Sequence, residues 1–160
     1  MPVRSAGILL HRIGPAGREV WIAHMGGPFW AGKDDRAWSI PKGEYGPDED
    51  PLAAARREFE EELGFPAPEG ENRMLGAFRQ RSGKVVTVYA VEADAVVDSI
   101  VSNTFPLEWP PRSGKIVEFP EIDEARWVPP AVAREKLVAG QVPAIDALEA
   151  LLGGAVPPGP

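Results

Sequence analysis

Short runs of strand-forming residues, separated by glycine-rich turns, begin the chain. Residues 5–13 (SAGILLHRI) and 19–25 (EVWIAHM) flank the cluster GPAGR, and two such runs around a turn predict a β-hairpin. Residues 73–93 repeat this pattern around a Ser-Gly pair and predict a second hairpin. WSIP at 38–41 and EARWV at 124–128 predict two further short strands.

The clearest helix prediction covers residues 51–63. Its apolar residues recur at helical spacing and form one stripe: Leu52, Ala55, Phe59 and Leu63. Asp50 is a favourable N-cap, and Pro51 suits the first helical position. Gly64 suits the left-handed position that follows a helix. Local chemistry therefore predicts both ends of this helix.

The rest of the chain alternates between irregular segments and helices. Residues 26–38 and 98–122 are rich in glycine or proline, so both are predicted to be irregular. Residues 130–138 and 143–152 predict two more helices. Hairpins exclude an all-parallel sheet, so the predicted fold class is α/β, with a mixed β-sheet and helices on its faces.

The chain of 160 residues shows no internal repeat and no linker. We therefore predict a single domain over residues 1–152, and a disordered tail over 153–160 (GGAVPPGP). No apolar run reaches the length of a membrane span. The first apolar run predicts a strand and not a signal peptide.

Composition narrows the classes of partner. The absence of cysteine excludes disulfides, thiolate metal sites and cysteine nucleophiles, and it fits a cytoplasmic protein. The net charge of -7 makes the surface repel nucleic acid, so we expect no nucleic-acid partner. A polyanionic ligand would need a local basic patch or bound cations.

Carboxylates crowd the second half of the predicted helix. They are Glu58, Glu60, Glu61 and Glu62. The first, third and fourth of these are related as i, i+3 and i+4, so they share one side of the helix and repel by about 0.2–0.5 kcal/mol per pair. Such a group suits Mg²⁺ or Mn²⁺, which prefer oxygen ligands. The alternative is a solvated helix face whose charges pair with Arg56 and Arg57.

The surrounding segment GEYGPDEDPLAAARREFEEELGF, residues 43–65, resembles the Nudix hydrolase signature at every defined position. The defined positions are Gly43, Glu49, Arg57, Glu58, Phe59, Glu61, Glu62, Gly64 and Phe65. WSIPKGE, just before it, is similar to the subgroup that hydrolyses diadenosine polyphosphates. The resemblance implies a Nudix α/β/α sandwich with a mixed β-sheet and a loop–helix–loop catalytic motif.

The resemblance also implies roles for individual residues. The implied metal ligands are Glu58, Glu61, Glu62 and the backbone carbonyl of Gly43. Arg57 and Glu49 would form an ion pair that orients these glutamates. Phe59 and Phe65 are expected in the core.

Two further sets of charged residues are weaker candidates. The resemblance implies a general base in the loop before the last strand, where Glu121 is the first choice and Glu118 the alternative. Each is equally well explained as a surface carboxylate. The candidate phosphate-binding cations are Lys42, Arg79, Arg81 and Lys84, for which a solvated side chain is the alternative.

Several other features invite a ligand-binding interpretation that their context does not favour. GPFWAGK at 27–33 matches most of a phosphate-binding P-loop, but Asp34 stands where that motif needs serine or threonine. It is predicted to be an ordinary loop. The aromatic residues Trp30, Trp38, Tyr89 and Trp109 are either base-stacking platforms or, more simply, core residues. His11 and His24 are expected to be structural.

Together these observations predict a Mg²⁺- or Mn²⁺-dependent pyrophosphohydrolase. Its substrate would be a nucleoside diphosphate derivative, such as a dinucleoside polyphosphate or a nucleoside triphosphate, with a nucleotide sugar also open. The alternative is a Nudix-fold module that senses a nucleotide without hydrolysing it. An acidic calcium-binding protein is a third interpretation, which the absence of an EF-hand loop disfavours. A homodimer is a further expectation.

Overall fold

A mixed sheet of seven strands lies at the centre of the computed structural model, which describes residues 3–93 and 100–153. In chain order the strands are β1 (Arg4–Gly14), β2 (Gly17–Met25), β3 (Trp38–Ser39), β4 (Lys42–Glu44), β5 (Asn72–Arg79), β6 (Val85–Glu92), β7 (Thr104–Glu108), β8 (Ile116–Pro120) and β9 (Ile122–Val128). The helices are α1 (Pro51–Leu63), α2 (Pro130–Lys136) and α3 (Val142–Gly153), with a 3₁₀ turn at Ala139–Gln141.

Strand β1 organises the sheet. It pairs with β2 in antiparallel register and with β6 in parallel register, and its first residues also pair with β4. The order across the sheet is β3-β2-β1-β6-β5, and β9 adds to β2. Both predicted hairpins are therefore confirmed, as is the mixed sheet. The pairing of Ala6 with Gly43 brings the start of the signature segment to the middle of the fold.

The two faces of the sheet bury separate apolar clusters, because side chains alternate along each strand. On β1, Ile8 and Leu10 pack in the cluster that contains α1, whereas Leu9 packs with α2 and α3. Helices thus cover both faces, which gives the α/β/α arrangement. Phe59 of α1 is fully buried against Trp21, with ring centroids 5.9 Å apart. Burial of such a side chain contributes about 1.5–3 kcal/mol to folding.

Helix α1 begins and ends where the sequence predicts. The Asp50 carboxylate accepts a hydrogen bond from the backbone N–H of Ala53 at 3.0 Å, which satisfies one of the free donors of the first turn. Gly64 adopts φ 83° and donates its N–H to the carbonyl of Glu60, which ends the helix. These caps fix the length of the segment that carries the glutamates.

The prediction of an irregular segment over 98–122 is wrong for much of its length. Strands β7 and β8 form a separate antiparallel ribbon, in which Phe105 pairs with Phe119 and Pro106 pairs with Glu118. Proline is usually excluded from strands because it lacks an N–H donor. In a two-stranded ribbon both strands are edges, so an outward-facing position tolerates it.

The remaining segments follow the predictions where the structure describes them. Residues 27–33 form turns with no helix after them, as expected for a segment that is not a P-loop. His11 and His24 are buried. No helix in the described ranges is long and apolar enough to cross a membrane. Gly153, the first residue of the predicted tail, is instead the last residue of α3; the rest of the tail, from 154 onward, falls outside the described residues and stays a prediction.

Candidate active site

A cavity of about 310 Å³ lies between β4, α1 and the start of β9. The residues that line it are Ser5, Lys42, Gly43, Glu44, Glu58, Glu62, Lys84 and Glu121. Two glutamates come from one side of α1, as their spacing requires. Lys42 and Gly43 come from β4, and Glu121 precedes β9. The cavity therefore combines carboxylates with two lysines.

Glu58 lies directly against the backbone of Gly43. A Cβ atom at Gly43 would be 2.0 Å from both the carboxyl carbon and Oε2 of Glu58, a distance that no side chain could occupy. Only glycine allows the carboxylate to approach the β4 backbone so closely. The structure thus gives a steric reason for glycine at this position.

Arg57 connects the loop before α1 to the glutamates. Its Nε and Nη2 donate to the two carboxylate oxygens of Glu49 at 2.8 and 2.9 Å, and Nη1 donates to Oε1 of Glu58 at 2.8 Å. Nη1 also lies 3.3 Å from Oε2 of Glu61. The hydrogen bonds with Glu49 raise the pKa of Arg57 and lower the pKa of Glu49. The predicted ion pair between Arg57 and Glu49 is present.

Glu62 lies in the most strongly perturbed environment of the cavity. Burial raises the pKa of Glu62 to about 8, against the opposing effect of the Lys42 ammonium and a hydrogen bond from the Lys42 backbone. The neighbouring carboxylates of Glu121 and Glu58 raise it further. Burial lowers the pKa of Lys42, and the Glu62 carboxylate opposes this shift. Lys42 therefore offsets only part of the local negative charge.

Two further carboxylates that line the cavity, those of Glu58 and Glu121, are also partly buried and lie near other carboxylates. Burial raises the pKa of Glu58, although the hydrogen bond from Arg57 opposes it. Burial and the Glu61 carboxylate raise the pKa of Glu121. A set of oxygen donors that all resist ionisation suits a hard divalent cation, which would stabilise their charged forms. The residues present therefore fit Mg²⁺ or Mn²⁺.

The predicted site residues do not all meet in this cavity. Glu61 is exposed, lies beside Arg57 and does not line the cavity. Glu118 on β8 and Arg79 on β5 are also exposed, and neither lines this cavity. Within residues 3–93 and 100–153, no group of three or more carboxylate or imidazole side chains is already arranged to hold a metal ion. The assignment of the ligands stays a prediction.

A second, larger cavity of about 600 Å³ adjoins the first, because Lys42 lines both. Its other lining residues are Met25, Trp30, Arg36, Ser39, Gln80, Arg81, Ser82, Val138, Ala139, Gly140 and Gln141. Of these residues, only Trp30 and Arg81 were candidate ligand-binding residues on the sequence alone. The lining residues come from separate segments, so no spacing in the sequence could group them.

The aromatic candidates for base stacking occupy different environments. Trp38 is fully buried, Trp30 is half-buried at the larger cavity, and Tyr89 is half-buried beside the α1 cluster. Trp109 makes an edge-on contact with Phe29 at 5.7 Å between centroids. Only Trp30 of these four lines either cavity.

The NUDIX domain family matches residues 1–148 of the chain. The chain therefore belongs to the NUDIX family, and it is a hydrolase that acts on phosphorus-containing acid anhydrides. This membership confirms the resemblance seen in residues 43–65. No curated protein matches the chain in sequence.

Solved structures share the fold at low sequence identity. The Ap4A hydrolase of C. elegans, in a binary complex, is 19% identical with a TM-score of 0.67, over 94% of this chain and 98% of the other. The NUDIX domain of Shewanella oneidensis NrtR, complexed with ADP ribose, is 14% identical with a TM-score of 0.65, and the match covers 95% of this chain and 89% of the other. The MutT protein of Methanosarcina mazei Go1 is 19% identical with a TM-score of 0.60, and the match covers 94% of this chain and 96% of the other.

Proposed function

We propose that this protein is a Mg²⁺- or Mn²⁺-dependent pyrophosphohydrolase of nucleoside diphosphate derivatives, with a dinucleoside polyphosphate or a nucleoside triphosphate as substrate. One observation carries the proposal: Glu58, Glu62 and Glu121 line a single cavity with Lys42 and Lys84. Carboxylates there can hold a dication, and lysines can bind phosphate oxygens. The names of two similar structures, an Ap4A hydrolase and a domain bound to ADP ribose, support a nucleotide substrate.

The ligands that would hold the metal are Glu58, Glu61, Glu62 and the carbonyl of Gly43. When bound, the ion would neutralise phosphate oxygens and lower the pKa of an attacking water. Arg57 would orient Glu58, since it holds that carboxylate at 2.8 Å and is itself fixed by Glu49.

Glu121 is the proposed general base, because it lies in the cavity whereas Glu118 does not. Its raised pKa makes it a better proton acceptor than an ordinary glutamate. It would take the proton as the water oxygen forms a new bond to phosphorus. The bond from that phosphorus to the bridging oxygen breaks, and the departing phosphate keeps the electron pair. Lys42 would donate hydrogen bonds to the phosphate oxygens.

A substrate panel tests the function directly. We expect the purified protein with Mg²⁺ or Mn²⁺ to hydrolyse at least one of diadenosine polyphosphates, nucleoside triphosphates, nucleotide sugars and ADP-ribose, and to stop when EDTA is added. Chromatography of the products would identify the bond cleaved. Mass spectrometry of the products of a reaction in H₂¹⁸O would identify the phosphorus attacked. Inactivity on every compound with both metals would reject the proposal.

Glu49→Gln tests the role of the ion pair. The substitution removes the charge that anchors Arg57, so we expect a rise of about 10–100-fold in the Mg²⁺ concentration required for half-maximal activity. The rate at saturating Mg²⁺ should fall much less, because Glu49 itself does not touch the cavity. Metal titration of activity measures both quantities. Glu60→Gln, on the exposed side of α1, is the matched control and should leave the titration unchanged.

A nucleotide-sensing module is the second candidate, favoured by the likeness to the NrtR domain in complex with ADP ribose. The same panel separates the two, since a sensor would bind a nucleotide without consuming it.

A cytoplasmic location, the absence of a nucleic-acid partner and a homodimer stay predictions. Size-exclusion chromatography with light scattering would decide the oligomeric state.

A further inference from the structure

The larger cavity carries positive charge on largely apolar walls. Arg36, Lys42 and Arg81 line it, and no carboxylate residue does so among the described parts of the chain. Its apolar lining comes from Met25, Trp30, Val138 and Ala139. In a chain of net charge -7, a cavity with this lining favours a ligand that combines a flat, weakly polar body with an anionic group.

Both arginines retain free hydrogen-bond donors. The Nη1 atom of Arg36 donates to the carbonyls of Arg134 and Leu137 at 2.5 and 3.0 Å, while its Nε and Nη2 have no partner among residues 3–93 and 100–153. Arg36 has φ 61°, an unusual backbone conformation for a residue with a side chain. Arg81 makes no ion pair or hydrogen bond with the described residues through its side chain. A guanidinium group with free donors can bind phosphate oxygens through paired, charge-assisted hydrogen bonds.

The walls of the cavity are already held in place. The side chain of Gln141 accepts a hydrogen bond from the backbone N–H of Ile40 at 2.7 Å and donates one to Oγ of Ser39 at 3.0 Å. A Cβ atom at Gly140 would lie 3.0 Å from the Cα of Gln80, so the 3₁₀ turn and the β5–β6 turn are in close contact. These contacts fix the lining of the cavity, and a preorganised lining reduces the entropy lost on binding.

We propose that the larger cavity binds the part of the substrate that is not cleaved, and that Arg36 and Arg81 select substrates with an additional phosphate group there. The inference rests on the proposed function, because Lys42 joins the cavity to the carboxylates of the active site. Two parts of a nucleotide could supply the additional phosphate group, and both would present the same anionic oxygens to the arginines. It is either a further link in the polyphosphate chain or a phosphomonoester on the distant nucleoside.

Two matched substrate series distinguish these sources. NADPH and NADH differ by one ribose phosphomonoester, whereas diadenosine tri-, tetra- and pentaphosphate differ by the length of the chain. We expect kcat/KM to be at least about tenfold higher for the compound with the additional phosphate in one of the two series, as charge-assisted hydrogen bonds to two arginines would produce. Equal kcat/KM values within both series would overturn the inference.

Arg81→Gln tests the assignment to residues. The substitution should reduce the preference by about fivefold or more, chiefly through a higher KM for the substrate with the additional phosphate. Lys115→Gln is the charge-matched control, because Lys115 is exposed and lines neither cavity; its preference should equal that of the wild type. An unchanged preference in Arg81→Gln would overturn the role of the arginine.

Binding separates this inference from the proposed function. Calorimetry with Glu62→Gln protein and Mg²⁺, in which we expect hydrolysis to be slowed about 10²–10⁴-fold, measures the Kd of NADH, NADPH and the three diadenosine polyphosphates. Tighter binding of the compound with the additional phosphate, weakened by salt, supports the inference even if hydrolysis is not observed. Equal Kd values, or no binding, overturn it. Hydrolysis without this preference would leave the proposed function intact.

Discussion

We expect Glu62→Gln to lower the hydrolytic rate by about 10²–10⁴-fold. A bound metal ion lowers the activation barrier by several kcal/mol, and each 1.36 kcal/mol of barrier changes the rate about tenfold. The same substitution should stabilise the metal-free protein. Burial raises the pKa of Glu62 from 4.5 to about 8, so ionisation of the carboxyl opposes folding. One residue would then limit stability and support activity.

The stabilisation by Glu62→Gln should depend on pH. Between pH 4.5 and about 8 the folded protein retains a proton that the unfolded chain has released, so the stability of the wild type falls as pH rises through this range. Glutamine does not titrate. The gain in the free energy of unfolding should therefore grow from near zero at pH 5 to about 1–3 kcal/mol at pH 8, allowing for partial exposure of the side chain.

Urea unfolding in EDTA at pH 5 and pH 8 measures this gain. Glu60→Gln is the matched control, because Glu60 is exposed on the same helix and should change the free energy of unfolding by less than about 0.5 kcal/mol. Addition of Mg²⁺ should stabilise the wild type more than Glu62→Gln, since binding to the folded state stabilises it. A pH-independent loss of stability in Glu62→Gln would contradict the environment described for this side chain.

Gly43→Ala should have the second largest effect. The new methyl group would lie 2.0 Å from the Glu58 carboxylate and force it away from the β4 backbone. Displacement of a catalytic group by about 1 Å can reduce activity by about 10²-fold, so we expect a loss of kcat/KM of that size. The position of Glu58, rather than its chemistry, is what this substitution changes.

Gly46→Ala is the matched control for Gly43→Ala. It adds the same methyl group three residues later, in the loop between β4 and α1, where a Cβ meets no atom within 4 Å. We expect near wild-type activity from it. Circular dichroism and thermal melts of both variants would establish that each is folded before kcat/KM is compared. Full activity in Gly43→Ala would show that the carboxylate need not approach this backbone.

The sequence alone determined the features that depend on neighbouring residues. Asp50, Pro51 and Gly64 fix the ends of α1 through local hydrogen bonds and backbone preferences, so the helix was predictable to the residue. The spacing of Glu58 and Glu62 then required both to lie on one side of it. Residues 43–65 are contiguous, which is why the family could be inferred before the fold was known.

The tertiary structure decided which distant residues join this helix. Glu121 reaches the cavity because β9 pairs with β2, and its backbone carbonyl accepts a hydrogen bond from Gly26 at 2.8 Å. Arg36, Arg81 and Gln141 meet around the larger cavity through contacts between distant segments, since Gln141 bonds to Ile40 and its neighbour Gly140 packs against Gln80. The β7–β8 ribbon was not predicted, because its prolines argue against strands. Proline is tolerated there only because both strands are edges, where an outward-facing residue needs no backbone N–H donor. Local preferences determine helices and turns, whereas strand pairing and the packing of distant turns determine which segments share a cavity.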